Sequence, residues 1–260
     1  MNYEEAQRRR EVPSKNAIQR LFDRISPRYD FLNRVNSLGL DLGWRRDLAR
    51  HVLAERPEVI LDVAAGTGDL SLMLAKGAKQ VVSADISIGM MEHAVQKARR
   101  KGIDNIKITV GDALDLPFEH DQFDAVTCAF GVRNFESIID FYREAYRVLK
   151  PNGMIAILEM CRPEHPLLRQ GYEIHANVTI PLVSQMLGGN RGAYRYLAKS
   201  IEKVPHREEM KWLLEEAGFK QVYYKIYAPE VCGLYVGYKP SDLDHALEPA
   251  MQQLDEIKEG

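Results

Sequence analysis

A glycine-rich segment between two aspartates is the part of this chain best suited to bind a small ligand. Residues 62–69 read DVAAGTGD, where an apolar run ends and a helical pattern begins. Gly66 and Gly68 lack a Cβ, so the backbone around Thr67 can approach a ligand closely. Asp85 ends the next apolar run, near the offset of about 20 residues at which an acidic side chain binds ribose hydroxyls in doubly wound folds. The spacing therefore predicts a nucleotide-binding loop.

The residues of the same segment exclude two kinds of nucleotide ligand and favour a third. A dinucleotide fingerprint would need a third glycine where Ser71 stands, and a phosphate-binding P-loop would need a Gly-Lys-Ser/Thr ending. Asp62 and Asp69 flank the loop, and two carboxylates favour a positively charged ligand, such as the sulfonium and ammonium groups of S-adenosylmethionine. In the competing interpretation, the glycines only form a tight turn and the aspartates cap a helix. The residues predicted to bind S-adenosylmethionine here are Asp62, Gly66, Thr67, Gly68 and Asp85.

Two later loops complete the set of candidate residues. Asp112 follows the third apolar run, where a side chain can meet the edge of an adenine, and Ala113 leaves room for the ring. Residues 129–135 read AFGVRNF after the fourth run, and Arg133 and Asn134 lie there at the carboxyl end of a predicted strand. No cluster of carboxylates that could bind a metal follows that strand. We predict Asp112 and Ala113 as cofactor-binding residues, and Arg133 and Asn134 as candidates for contact with the second substrate.

The elements that carry these loops alternate between short apolar strands and amphipathic helices. Five such strands with helices between them predict a doubly wound parallel sheet. Two closing strands, near residues 219–227 and 232–239, are separated only by a short turn, which requires an antiparallel pair. We therefore predict an α/β fold with a mostly parallel seven-stranded sheet, an antiparallel terminal hairpin, and helical additions at the N-terminus and in an insertion.

The changes of pattern along the chain divide it into three parts. Residues 1–56 have helical periodicity and predict an N-terminal helical cap. Residues 57–240 carry the sheet, and a helical insertion at 162–205 interrupts them before the last helix. Residues 241–260 form a C-terminal tail to which the sequence assigns no role.

Composition excludes several classes of protein. The chain has 260 residues, with 35 basic and 37 acidic side chains and a formal net charge of −2, which gives no general attraction to nucleic acid. Its three cysteines are few and far apart, which is typical of proteins in a reducing cytoplasm. Disulfide-stabilised scaffolds and zinc sites need more cysteines at closer spacing. No run approaches the roughly 20 apolar residues of a membrane-spanning helix, and the N-terminus lacks the apolar core of a secretory signal. A cytoplasmic protein that does not bind nucleic acid is therefore expected, and the sequence does not decide between a monomer and a homodimer.

Several motifs along the chain carry a resemblance to a known family. The glycine loop with Asp85 and Asp112 resembles class I S-adenosylmethionine-dependent methyltransferases over residues 59–239. Within that class, the chain is similar to the ubiquinone/menaquinone biosynthesis C-methyltransferases, although Ala65 and Ala129 depart from residues common in the family. The motifs that carry this second resemblance are FDRISPRYDFLNRVNSLGLDLGWRR at 22–46, FGVRN at 130–134, RVLKPNG at 147–153, YRYLAKSI at 194–201 and GYK at 237–239.

The resemblance implies that the chain transfers a methyl group from S-adenosylmethionine to a ring carbon of a reduced polyprenyl quinone. Demethylmenaquinol is the preferred acceptor, although no residue separates it physically from a polyprenyl methoxybenzoquinol. A small soluble phenol is another acceptor to consider, and a non-catalytic cofactor-binding subunit is the alternative from a different class. These hypotheses share the glycine loop and differ in what the cap and the insertion must bind.

The chemistry of such a reaction sets requirements on the site. An aromatic carbon is a weak nucleophile until an adjacent phenol loses its proton, and phenols titrate near 10. Arg133 stays protonated and is the candidate to stabilise the phenolate, while Asn134 orients the ring hydroxyl or the cofactor. A water molecule, His175 or Tyr29 would accept the proton. In the competing interpretation, Arg133 forms a structural ion pair, with Glu136 or Glu159 as its partner.

An insoluble polyprenyl tail also implies that enzyme and acceptor meet at a membrane surface. Residues 18–25 carry an apolar stripe of helical spacing, and Arg20 and Arg24 lie outside it. This pattern is typical of an interfacial helix that binds anionic lipid. We expect peripheral, transient attachment at the inner face of the cell membrane, and apolar residues at 178–187 as a wall for the tail. The alternative is that both segments simply pack on the sheet as a lid.

Overall fold

Seven strands form one sheet at the centre of the computed structural model, which describes residues 12–174 and 200–241. The sheet order is β3-β2-β1-β4-β5-β7-β6. Strands β1 to β5 are parallel to one another, and β7 runs antiparallel between β5 and β6. The predicted fold class and the antiparallel hairpin are thus confirmed. The strands are β1 (Val59–Val63), β2 (Gln80–Asp85), β3 (Ile106–Val110), β4 (Phe123–Ala129), β5 (Leu149–Met160), β6 (Lys220–Tyr227) and β7 (Cys232–Tyr238).

Eight α-helices are described, and they cover both faces of the sheet and the carboxyl ends of its strands. Two short 3-10 turns, Ser26–Arg28 and Val132–Asn134, add to them. Buried apolar side chains form one core on each face of the sheet, as two-sided burial of parallel strands requires. The helices are α1 (Lys15–Ile25), α2 (Tyr29–Asn36), α3 (Asp41–Ala54), α4 (Asp69–Leu74), α5 (Ile88–Arg100), α6 (Ile138–Val148), α7 (Pro166–Ile174) and α8 (Glu208–Glu216).

One boundary differs from the sequence expectation. The helical pattern predicts that α6 continues to Lys150, but the helix ends at Val148 and β5 begins at Leu149. Pro151 follows directly, and the residue before a proline disfavours helical backbone angles. Leu149 pairs with Phe123 of β4 before the ladder shifts register, so β5 begins earlier than its apolar run suggests.

The N-terminal segment lies against the carboxyl ends of the strands. In α1, Asp23 Oδ1 accepts hydrogen bonds from Ser87 Oγ at 2.6 Å and from the Gly89 N–H at 3.2 Å, at the start of α5. The backbone N–H of Lys15 donates to Glu136 Oε1 at 3.0 Å, beyond β4. These contacts fix α1 at both ends over the loops that follow β2 and β4. The apolar residue Ile18 is buried there with 7% exposure, so part of the stripe on α1 faces the sheet domain.

Several sequence expectations fall on residues outside the described ranges. They include His175, the apolar segment at 178–187 and all but the first residue of the tail at 241–260. The domain boundaries at 56/57 and 240/241 stay predictions. Within the described ranges, no helix combines the length and the apolar character that crossing a bilayer would require.

Candidate active site

A cleft of about 810 Å³, including its open part, lies where the strand ends meet the N-terminal cap. The glycine loop and the ends of β2 and β3 form one side, and α1 with Tyr29 forms the other. The predicted site residues that line it are Gly66, Asp85, Asp112, Ala113 and Asn134.

Backbone geometry explains the two glycines of the loop. Gly66 and Gly68 adopt φ angles of +57° and +81°, in the left-handed region that side chains with a Cβ rarely adopt. A Cβ on Gly68 would also come within 3.0 Å of the Ala94 Cβ on α5. The loop can therefore turn sharply from β1 into α4 and leave its backbone close to the cleft.

Asp85 is held rigidly at the end of β2. The Gly66 N–H donates to Asp85 Oδ2 at 2.8 Å, and the Ser87 N–H donates to Oδ1 at 2.8 Å. Burial raises the pKa of Asp85, while these two backbone amides favour its ionised form. Each carboxylate oxygen has a second lone pair, and the residue lines the cleft, so it can also accept from two adjacent hydroxyls.

Asp112 lies at the end of β3 and contacts the cap. Its Oδ1 accepts the Leu114 N–H at 3.0 Å, and its Oδ2 forms an ion pair with Lys15 Nζ at 2.6 Å. No sequence pattern indicates this contact with Lys15. Ala113 and Leu114 continue the wall together with Met90, which makes this end of the cleft apolar and suited to a flat ring.

Asp62 lines a second, smaller cavity beside the glycine loop, of about 300 Å³ including its open part. Ser71 Oγ donates to Asp62 Oδ2 at 2.5 Å, and Thr127 Oγ1 donates to Oδ1 at 2.9 Å. Burial raises the pKa of Asp62 to about 6, against the effects of these hydroxyls and of the Arg45 charge. The carboxyl group is thus poised to ionise close to neutral pH, beside a cavity that a ligand could enter.

Thr67 and Asp69 are tied to the cap instead of facing the larger cleft. Thr67 Oγ1 donates to Asp30 Oδ1 at 2.5 Å and accepts from Lys97 Nζ at 2.9 Å. Asp69 pairs with Arg34 at 2.5 Å and with Lys97 at 2.7 Å. The interpretation that Asp69 attracts a cationic ligand therefore needs correction, because two protein cations already compensate its charge. Both residues still line the smaller cavity.

Arg133 and Asn134 occupy different environments although they are neighbours. The Arg133 guanidinium forms an ion pair with Glu159 Oε1 at 2.5 Å, and its backbone N–H donates to Oε2 at 3.2 Å. Both side chains are buried, with 6% and 0% exposure. Arg133 does not line the cleft in the described part of the chain, whereas Asn134 does. The geometry favours the structural ion pair over direct contact between Arg133 and an acceptor, so its catalytic role stays a prediction.

Sequence reasoning missed a set of charged residues in the cap. Asp41, which is 2% exposed, accepts hydrogen bonds from Arg34, from Ser37 Oγ at 2.9 Å and from Arg45 at 2.5 Å. Arg34 continues to Asp69, so this network reaches the glycine loop. The spacing of Asp41 and Arg45 by four residues was the one available signal, since it places opposite charges on the same helix face.

The residues present fit S-adenosylmethionine. A fixed carboxylate in the cleft suits the ribose hydroxyls, and the apolar wall beside Asp112 suits the adenine ring. The smaller cavity shares Tyr29, Ala64 and Gly66 with the cleft, so the two adjoin. A ligand with an aromatic end and a charged end matches this pair of cavities.

The chain is similar to known methyltransferases in sequence and in fold. The chain is 40% identical to a demethylmenaquinone methyltransferase of Porphyromonas gingivalis, over 88% of this chain and 95% of that protein. It is 35% identical to a ubiquinone/menaquinone biosynthesis C-methyltransferase of Rickettsia bellii, over 86% and 93%. A solved S-adenosylmethionine-dependent methyltransferase of Thermotoga maritima has the same fold, with a TM-score of 0.60, 17% identity and coverage of 85% of this chain and 99% of that one.

The family assignment covers most of the chain. Residues 9–239 match the model of the ubiE/COQ5 methyltransferase family. The match includes the cap residues that close the cleft as well as the sheet that carries the glycine loop. The chain belongs to the ubiE/COQ5 methyltransferase family.

Proposed function

We propose that this chain transfers the methyl group of S-adenosylmethionine to a ring carbon of a reduced polyprenyl quinone, with demethylmenaquinol as the acceptor. The cleft between the sheet and the cap carries the proposal, because it has a fixed carboxylate at one end and apolar and aromatic walls around it. The similarity to a demethylmenaquinone methyltransferase supports the choice of acceptor. The Rickettsia bellii relative, whose name includes ubiquinone, makes a polyprenyl methoxybenzoquinol the second candidate.

The cleft residues can position an acceptor ring beside the methyl donor. When bound, S-adenosylmethionine supplies an electrophilic methyl group on a sulfonium. Asn134 and Tyr29 line the cleft, and their polar groups can hydrogen-bond a ring hydroxyl and orient the carbon next to it. A fixed geometry of this kind makes a large contribution to rate, since it removes the entropy cost of aligning two reactants.

The cap shields the reacting atoms from water. Ile18 and Phe22 of α1 line the cleft opposite the strand ends. Their apolar side chains lower the local dielectric, which strengthens the interactions of a phenolate with nearby dipoles. The ion pair of Arg133 with the buried Glu159, and the hydrogen bond from the Arg133 N–H to Glu159, hold the 3-10 turn that carries Asn134.

We also infer that the chain attaches transiently to the inner face of the cell membrane through the outer side of α1. Ile18 and Phe22 face the cleft, whereas Arg20 and Arg24 are exposed to solvent. A Lys or Arg near an anionic lipid surface contributes about 1 kcal/mol of binding. The apolar stripe therefore acts as a lid, and the basic outer side supplies the attraction to lipid.

Liposome sedimentation tests the membrane proposal. We expect weak binding to anionic vesicles that decreases at high salt and falls at least about fivefold for each of Arg20→Glu and Arg24→Glu, since each change removes a basic residue and adds an acidic one. Glu92→Gln, on the exposed side of α5, is a control that should leave vesicle binding nearly unchanged. A protein that stays in the supernatant at low salt would show that another component delivers the quinol.

A product assay tests the proposed reaction. Labelled S-adenosylmethionine is incubated with the protein and either demethylmenaquinol or the demethyl methoxybenzoquinol, and the labelled product is identified by mass spectrometry. Ring-methylated menaquinol is the expected product. Methylation of the benzoquinol alone would change the acceptor, and labelling of neither quinol would contradict the proposed function.

A further inference from the structure

Helix α2 turns its charged side towards the sheet domain and part of its apolar side towards solvent. Asp30 Oδ2 forms an ion pair with Lys97 Nζ at 2.5 Å, and Arg34 Nη2 forms one with Asp69 Oδ2 at 2.5 Å. Phe31 follows Asp30 by one residue, about 100° further around the helix, and is 51% exposed. A surface helix of a soluble protein normally buries its apolar side, so α2 has the reverse orientation.

The turn that ends α2 also presents an apolar side chain to solvent. The Gly39 N–H donates to the Arg34 carbonyl at 2.7 Å, and the Leu38 N–H donates to the Val35 carbonyl at 3.2 Å, as in a Schellman motif. Glycine is usual at the position of Leu38, because the backbone there is left-handed, and Leu38 has a φ angle of +51°. Its side chain is 73% exposed. This leucine therefore strains the backbone without packing inside the protein, which indicates a contact outside it.

Three exposed apolar side chains thus occur close together in the cap. Phe31 lies on α2, Leu38 lies in the turn after it, and Leu40, which is also exposed, directly precedes α3. We call Phe31, Leu38 and Leu40 the outer apolar patch. The same helix α2 carries Tyr29, which lines the cleft, so the patch and the active site belong to one short element.

The charges around the outer apolar patch indicate what it contacts. Each of the four aspartates in residues 20–50 forms a contact within the protein: Asp23 with Ser87, Asp30 with Lys97, Asp41 with Arg45 and Asp47 with Lys225. The exposed charged side chains of the same segment are Arg20, Arg24, Arg28, Arg46 and Arg50. Apolar side chains among exposed cations, with the carboxylates compensated internally, are complementary to an anionic lipid surface.

We propose that the outer apolar patch inserts into the lipid bilayer, with the surrounding arginines at the level of the lipid head groups. The inference rests on the proposed function, because a polyprenyl quinol is dissolved in the bilayer. It adds an apolar anchor to the electrostatic attraction of α1. Insertion of Phe31 brings Tyr29, and with it the cleft, to the surface from which the quinol must enter.

Vesicle binding at two salt concentrations tests the anchor. The probe is sedimentation with vesicles of phosphatidylcholine and phosphatidylglycerol, and high salt screens the attraction of the arginines. We expect the wild-type protein to keep a salt-resistant part of its binding. Leu38→Asn and Phe31→Gln should each lower the partition into vesicles about 10-fold at both salt concentrations, since each removes apolar area that the lipid covers. Arg20→Glu should act mainly at low salt.

Leu167→Gln is the matched control. Leu167 is 71% exposed, close to the value for Leu38, but it lies on α7 between the exposed Glu164 and Glu173, which an anionic surface repels. This variant should bind vesicles as the wild type does. An equal loss of binding in the Leu167 and Leu38 variants would overturn the proposal, and so would wild-type binding in both patch variants.

Thermal unfolding separates insertion from a structural role of Leu38. Asparagine adopts the left-handed conformation more readily than leucine, so Leu38→Asn should have the Tm of the wild type or a higher one. A variant that loses vesicle binding while its Tm is maintained supports insertion. A clear decrease in Tm would assign Leu38 to packing within the protein and would overturn the proposal.

A fluorescent label tests insertion directly and does not depend on affinity. The cysteines Cys128, Cys161 and Cys232 are buried, so Leu38→Cys provides an accessible thiol for a fluorophore that brightens in an apolar environment. We expect its emission to increase severalfold when vesicles are added, and the same label after Leu167→Cys to respond little. No increase at position 38, or an equal increase at both positions, would contradict insertion.

Two further measurements distinguish the other outcomes. A wild-type dimer that Leu38→Asn converts into a monomer in analytical ultracentrifugation would assign the patch to a second copy of this chain and overturn the proposal. A quinol with a short, soluble prenyl chain reports on methyl transfer alone, and Leu38→Asn should methylate it at the wild-type rate. If vesicle binding depends on the patch but the wild type methylates no quinol, the proposed function fails and the lipid contact stands.

Discussion

The sheet edge, meaning the loops at the carboxyl ends of β1 and β2, and the N-terminal cap both contribute to the cleft. The two regions are held in place by different interactions. At the carboxyl end of the sheet, Asp85 is held by two backbone amides, one from Ser87, two residues away, and one from Gly66 in the loop after the adjacent strand β1. In the cap, Arg34 and Lys15 reach the sheet domain through side-chain ion pairs with residues far along the chain. The sheet therefore supplies a rigid binding edge, whereas the cap supplies contacts that can be broken one at a time.

The largest expected effect is on the free energy of unfolding, and it distinguishes a structural role of Arg133 from a catalytic one. Arg133→Ala leaves Glu159 buried without this ion-pair partner, which should lower the free energy of unfolding by about 3–5 kcal/mol. Urea denaturation measures the loss, and the double variant Arg133→Met with Glu159→Leu should recover much of it. A single variant with wild-type stability and a kcat about 100-fold lower would restore the catalytic interpretation.

The next effect is on cofactor affinity and concerns Asp85, at the carboxyl end of β2. Asp85→Ala removes the acceptor proposed for the ribose hydroxyls, so affinity for S-adenosylhomocysteine should fall about 10- to 100-fold. Asp124→Ala, a carboxylate at the opposite end of the sheet where β1 and β4 begin, is the matched control. Calorimetry that finds unchanged affinity in Asp85→Ala would remove Asp85 from the cofactor site.

A smaller effect is expected from the contact that fixes the cap to α5. Asp23→Ala removes the acceptor for Ser87 Oγ and the Gly89 N–H, which should cost about 1 kcal/mol locally. Hydrogen exchange in residues 15–25 should accelerate, while exchange in β1 and β4 stays as in the wild type. Faster exchange throughout the sheet would mean that the cap and the sheet open as one unit.

The smallest effect is the pH dependence of cofactor binding. Burial raises the pKa of Asp62 to about 6, so the carboxyl group becomes protonated below that pH. The ammonium group of the cofactor can pair with Asp62 only after this proton is lost. Affinity for S-adenosylhomocysteine should then fall roughly fourfold between pH 7 and pH 5.5, and Asp62→Asn should flatten this dependence. Calorimetry across that range is the test, and an Asp62→Asn protein with the same pH profile would assign the proton to another group.

The effect of Asp62 on stability has the opposite sign. A carboxyl group with a raised pKa takes up its proton in the folded state before it does so in the unfolded state. Its contribution to the free energy of unfolding therefore increases as pH falls from about 6 towards its ordinary value near 4. Asp62→Asn should remove this increase in urea denaturation measured at each pH.

The contrast between the two regions also explains what the sequence could predict. The alternation of strands and helices and the offset from Gly66 to Asp85 are local patterns, and the structure has the predicted sheet. The pairings of Arg133 with Glu159 and of Lys15 with Asp112 join residues that no periodicity relates. The position of β7 between β5 and β6 is likewise not given by a local pattern. A short turn shows that β6 and β7 are antiparallel to each other, but not which of them pairs with β5.

Hydrogen exchange with and without S-adenosylhomocysteine tests most directly whether the cofactor binds between the sheet edge and the cap. We predict that the ligand slows exchange in residues 64–68 and 85–89 of the sheet edge and, in the same experiment, in residues 15–25 of the cap. Protection confined to the sheet edge would show that the cap takes no part in binding, and protection in neither region would contradict the account.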